Sequence, residues 1–179
     1  MEKIEKSIKI PENVKVAIHG NIVKLKGPKG EAEKKLHHPG IKIKDSNEGL
    51  QLSSEGNSRN YKKILNTFAA HINNMLKGVT EGFQYELKVC SGHFPMSVSI
   101  EHNNVIIKNF LGEKIPRKAK ILPGVKVEIK GNDIIVSGVS KEQVGETASN
   151  LELSTRITNR DRRVFMDGLW ITSKAGKKI

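Results

Sequence analysis

The chain is written twice, and this constrains its fold more than any other feature. The segment VKVAIHGNIVKLKG, starting at Val14, aligns with MSVSIEHNNVIIKN, starting at Met96, at an offset of 82. Val16, Ile18, Val23 and Leu25 fall on Val98, Ile100, Val105 and Ile107, and the turn His19 to Asn21 falls on Glu101 to Asn103. After a gain of two residues, PGIKI at Pro39 to Ile43 matches PGVKV at Pro123 to Val127. Leu50 and Leu52 then match Ile134 and Val136 at the same offset of 84. Two blocks in order and nearly in register predict a tandem duplication.

Each copy has one grammar. Alternation at Val14, Val16 and Ile18 predicts a half-buried strand, and a Gly/Asn turn leads to a second one over Ile22 to Lys26, which makes a hairpin. A basic connector follows, GPKGEAEKK in the first copy and FLGEKIPRKAK in the second. A Pro-Gly turn opens a second hairpin. One helix closes each copy. In the first it is predicted from about Ser58 to Lys77, carrying Tyr61, Ile64, Leu65, Phe68, Ile72, Met75 and Leu76 at helical spacing, with Gly78 as its cap. In the second, Ser140 and Gln143 make a capping box before Val144, Ala148 and Leu151. The expected fold class is α+β: two small domains, 1–82 and 83–179, each of antiparallel strands packed against one helix.

Charge decides what such a chain meets. Thirty-one basic residues against 19 acidic give a net charge of +12. Self-repulsion on that scale opposes folding and points to a polyanionic partner. The halves carry equal excess, but within the second half it is concentrated. From Ser154 onward stand Arg156, Arg160, Arg162, Arg163, Lys174, Lys177 and Lys178, opposed only by Asp161 and Asp167. A second cluster, Arg117, Lys118 and Lys120, lies in the connector. Arginine presents a planar fork that grips phosphate bidentately, where lysine is a point charge. If the closing helix continues past Ser154, Arg156, Arg160 and Arg163 share one face over about 10 Å, a span on the scale of phosphate spacing. Aromatics are only 4% of the chain, and Phe165 and Trp170 sit in VFMDGLWI, which alternates like a strand. They are expected to pack, so binding to folded RNA by shape and phosphate fits better than base stacking.

Other chemistries find little support. Gly27 to Gly30 lacks the spacing of a phosphate-binding loop and reads as a tight turn. Cys90 and His93 have C-x-x-H spacing without a second pair, so no metal site is expected. An enzyme with Cys90 as nucleophile and His93 as base is the weakest reading, because Leu87 and Val89 predict a buried, inert thiol. No run approaches the roughly 20 apolar residues of a membrane helix, and MEKIEKSIKIPE reads as neither signal nor transit peptide. No cofactor and no small-molecule substrate are expected.

The run TRITNRDRRVFMDGLWITSK, from Thr155 to Lys174, closely resembles the archaeal and eukaryotic signature of the large-subunit ribosomal protein family six, through Arg160, Arg163, Phe165, Asp167, Gly168, Leu169, Ile171 and Lys174. The duplication, IPENVKV, GPKGE and LPGVKV resemble the same family, so the likeness covers essentially the whole chain. Leu153 and Trp170 depart from it, where the family usually has Gln and Tyr. The resemblance implies two similar α+β domains and a structural, non-enzymatic part of the large subunit, located in the cytoplasm within the ribosome. It also implies binding to 23S-type rRNA, mainly through the C-terminal domain, near the sarcin–ricin loop and the base of the factor-binding stalk, beside neighbouring ribosomal proteins. Gly168 would serve a turn, and Lys174, Lys177 and Lys178 would form a tail reaching into RNA, disordered alone. A free RNA-binding module outside the ribosome is the competing reading.

Overall fold

The computed structural model describes residues 4–46, 49–161 and 163–179, so the candidate contact Arg162 lies outside the described residues. The chain divides into two compact units, Met1–Gly82 and Phe83–Ile179.

The first unit contains β1 (Glu5–Ile8), β2 (Lys15–His19), β3 (Ile22–Gly27), β4 (Gly30–Lys35), β5 (Ile41–Ser46), β6 (Gly49–Ser54) and α1 (Arg59–Thr80). Strands β2, β3 and β4 form an antiparallel meander, and β1, β6 and β5 form a second three-stranded sheet. Inward residues at every second position, Val23 and Leu25 on β3 and Leu50 and Leu52 on β6, are fully buried with Leu65, Ile72 and Val79 of α1. The helix runs past its predicted end. Gly78 is buried inside it, Glu81 closes it, and Gly82 (φ 79°) turns the chain away. The extra turn is held by tertiary contact, which overrides the glycine signal: the Val79 carbonyl accepts the Lys29 N–H at 2.9 Å. It also explains Gly27, since a Cβ there would sit 2.6 Å from the Val79 oxygen.

The second unit contains β7 (Phe83–Cys90), β8 (Ser97–Glu101), β9 (Asn104–Lys108), a 3-10 turn at Phe110–Gly112, β10 (Arg117–Lys120), β11 (Val125–Lys130), β12 (Asp133–Gly138), α2 (Lys141–Ser154), β13 (Gly168–Lys174) and β14 (Lys177–Lys178). Strands β8, β9 and β10 repeat the meander, and a five-stranded sheet runs β11-β12-β7-β13-β14. Its core joins Leu87, Val105, Ile107, Ile134, Val136, Val144, Leu151 and Leu169. Strands β2 and β8 begin at Lys15 and Ser97, an offset of 82, and β5 and β11 begin at Ile41 and Val125, an offset of 84. The α+β tandem duplication is therefore physical: β7 pairs with β12 as β1 pairs with β6.

The structure departs from the sequence pattern elsewhere too. Both connectors contain strands, β4 and β10. Their alternation is hidden because the inward positions are Ala32, Lys34 and Ala119 rather than large apolar residues. Cys90 has the opposite parity to the buried Leu87 and Val89 and is only half-buried. The second unit also has a strand with no counterpart among the described residues of the first, β13 on the edge of β7, reached by the segment after α2.

Candidate nucleic-acid interface

The closing helix stops at Ser154, so the condition under which Arg156, Arg160 and Arg163 would share one helix face is not met. Thr155 closes the helix, with β-branched Ile157 and Thr158 beyond and Asn159 in the left-handed region (φ 59°). Arg156, Arg160 and Arg163 therefore project from a loop that both ends pin down, rather than from a helix face.

The entry to the loop is held by Thr155 and Arg117. Thr155 is buried; its hydroxyl donates to the Glu152 carbonyl at 3.1 Å and accepts the Leu169 N–H at 2.9 Å. Arg117 Nη1 donates to the Ser154 and Arg156 carbonyls at 2.9 and 3.3 Å. Its Nε and Nη2 donate to the two Glu113 carboxylate oxygens at 2.8 and 2.6 Å, and its guanidinium lies 4.3 Å from the Phe110 ring centroid. A cation on the exposed carbonyls of a helix C-terminus opposes the helix dipole and completes the missing hydrogen bonds. Sequence alone groups Arg117 with the phosphate-binding cations, but its fork is occupied by protein acceptors, so it acts here as a clamp on the end of α2. Arg117→Ala is expected to lower the stability of the second unit by about 2–3 kcal/mol in urea titrations, with Arg117→Lys recovering only part of it.

The exit is held by Asp167, which is 3% exposed. One carboxylate oxygen accepts the backbone N–H groups of Gly92 and His93 at 2.7 and 2.9 Å, and the other meets His93 Nδ1 at 2.6 Å. Burial pushes the Asp167 carboxyl up, but hydrogen bonds from the His93 and Gly92 backbones and the His93 ring outweigh it, and the net shift is below the usual aspartate value. Gly168 follows at φ 142°, where an added Cβ would lie 3.1 Å from the Thr155 hydroxyl oxygen, so entry and exit touch at the one residue with no side chain.

Between these anchors the side chains are layered. The His93 ring stacks on Phe165 at 4.7 Å between centroids and 25° between planes. The Arg160 guanidinium covers Phe165 at 4.9 Å from its centroid. Buried carboxylate, imidazole, phenyl and guanidinium thus form one continuous column, with an exposed cation at its outer end. Arg163 is 90% exposed in its side chain and bound to Asp161, with Nη2 2.7 Å from Oδ2. A surface pair of this kind is weak and readily exchanged for a phosphate. Arg156 is exposed.

Phe165 does not lie on a strand, contrary to its alternation; β13 begins only at Gly168. Trp170 is half-buried, and its indole N–H donates to the Met166 carbonyl at 2.9 Å. Leu153 is 57% exposed in the last turn of α2. The lysine tail is not a loose end: Lys174 pairs with Lys177 in a short hairpin, with Lys178 opposite Ser173. Its turn is made by Ala175 and Gly176 in left-handed conformations. Lys118 and Lys120 point outward on either side of buried Ala119. Sequence reasoning missed the His93–Asp167 pair, whose members are 74 residues apart, and the clamp role of Arg117. Among the described residues no group of three His, Cys, Asp or Glu could hold a metal, and no helix is long and apolar enough to cross a membrane.

Comparisons with known proteins bear on the duplication. A family model described as ribosomal protein L6 matches twice, over residues 10–82 and 94–168. The large ribosomal subunit protein uL6 of Methanococcus vannielii is 46% identical over 176 residues, covering 98% of this chain and 97% of the relative. The proteins of the same name from Methanosarcina mazei and Methanobrevibacter smithii are each 43% identical. Coverage is 98% of this chain and 99% of the relative for the first, and 96% of both for the second.

Proposed function

The chain belongs to the ribosomal protein L6 family, and from that premise we propose that it is a structural component of the large ribosomal subunit that binds folded rRNA, mainly through its second unit. The family is structural and the chain is not an enzyme.

The observation that carries the reading is the held loop with Arg160 at the head of its column and Arg156 and Arg163 exposed beside it. A guanidinium ordered before binding loses little freedom when it meets a phosphate, so its two parallel hydrogen bonds add to affinity almost undiminished. Lys118, Lys120, Lys174, Lys177 and Lys178 add exposed charge to the same unit, and Arg162 adds a further cation by sequence alone. Neutralising phosphates lets the chain hold a compact RNA fold together. Its position in the subunit is the neighbourhood of the sarcin–ricin loop and the base of the factor-binding stalk, among other ribosomal proteins, as the family likeness implies.

Sedimentation separates this from a free RNA-binding module. The chain is expected to remain with large subunits washed in high salt. Its release into the supernatant while the subunits stay intact would contradict a core structural role.

A further inference from the structure

We propose that the outer face of α1, in the first unit, is a second RNA-docking surface that seats against the backbone of a double-helical segment. This rests on the ribosomal reading of the chain but uses none of the residues that carry it. The 22-residue helix contains no Asp and no Glu. Its exposed residues include Arg59, Lys62, Lys63, Asn66, Asn73 and Lys77. At about 100° per residue these fall within one arc of the helix, opposite the buried Leu65, Phe68, Ile72 and Val79. From Arg59 to Lys77 the face is about 27 Å long, from a rise of about 1.5 Å per residue. Lys6 of β1 extends it sideways, its Nζ donating to Asn66 Oδ1 at 3.1 Å.

The duplication supplies an internal control. The corresponding helix, α2, exposes Glu142 and Glu146 beside Lys141, the mixed charge of an ordinary solvated face. The two helices share an ancestor and a core-facing role, yet only α1 lacks acidic residues. Cations at both ends with amides between them match a ribose–phosphate surface. Lys and Arg meet phosphates, and each Asn amide both donates to and accepts from 2′-hydroxyls along the wide, shallow minor groove. Ala70, exposed at the middle of the arc, leaves room for close approach.

The test places a tethered iron chelate, a source of hydroxyl radicals, at Ala70→Cys in a full-length Cys90→Ser background assembled into large subunits. The same probe is placed at Thr158→Cys on the arginine loop. Strand scission of rRNA from both positions is expected. Scission from position 158 with none from position 70 overturns the inference and leaves the ribosomal reading standing. Scission from neither, in subunits that retain the chain, contradicts both. Cleavage of a neighbouring protein's backbone from position 70, without rRNA scission, overturns it in favour of a protein neighbour. As a second readout, Arg59, Lys62, Lys63 and Lys77 are changed to Gln together. Affinity for purified rRNA is expected to fall at least tenfold. The slope of log affinity against log salt is expected to become shallower by about 2 or more, at about 0.9 for each phosphate no longer neutralised. An unchanged slope overturns the proposal.

Discussion

Asp167→Ala lowers the stability of the second unit by about 2–4 kcal/mol, the largest loss expected from any single substitution in the arginine loop. The carboxylate accepts from two backbone N–H groups and from the His93 ring while almost fully buried. Hydrogen bonds to a charged acceptor contribute about 1.5–3 kcal/mol each and are not additive. For a domain of this size the melting temperature falls by about 10–20 °C. Asp167→Asn is also damaging, because an amide presents one acceptor oxygen and turns an NH2 group toward donors. The acid limb of the stability curve provides a check. The folded carboxyl titrates below its unfolded value, which is about 3.9. Its contribution is therefore complete above that pH and lost as pH falls through the lower, folded value. Wild type and Asp167→Ala are expected to differ most near neutrality and to converge in strong acid. Parallel curves down to the lowest pH would show that the charge is not what holds the loop.

The second large effect falls on binding rather than folding. Changing Arg156, Arg160 and Arg163 together to Gln reduces affinity for large-subunit rRNA by about 100-fold or more near physiological salt. The salt slope becomes shallower by about 2–3, at about 0.9 for each phosphate released. All three are exposed, so unfolding free energy changes little, within about 0.5 kcal/mol per site. The matched control removes Lys108, Lys126 and Lys141, three exposed lysines of the same unit, and so the same charge. Equal losses from the two triple variants would mean that net charge, not the ordered loop, governs binding. His93→Ala separates position from charge: it leaves every arginine in place but removes the ring beneath Phe165.

Much of this was legible in the sequence, for physical reasons. The duplication and the two hairpins of each copy follow from alternating Val, Ile and Leu, because a half-buried strand repeats every two residues. The cap of α2 at Ser140 follows from a side chain that can accept an N–H, and it does so; Ser58, read only as the approximate start of α1, caps that helix in the same way. Strands β4 and β10 were illegible because their inward residues are small or polar. The end of α1 was misplaced because Gly78 carries a stop signal that packing overrides. The arginines were legible as a cluster but not as an arrangement. Whether the helix continued past Ser154 depends on Arg117, 37 residues upstream, and on Leu169, 14 residues downstream of Thr155. No local pattern encodes either interaction. The column from Asp167 to Arg160 needs His93 from the far end of β7, which only the paired strands β7 and β13 bring near.

A loop fixed at both ends presents Arg160 to rRNA if a photo-cross-linker at position 160, in intact large subunits with the product mapped by sequencing, reacts there. A cross-link to rRNA at a few adjacent nucleotides in or beside the sarcin–ricin loop is expected, weakened and spread by Asp167→Ala. Products confined to protein, or RNA adducts scattered without a preferred site, would contradict it.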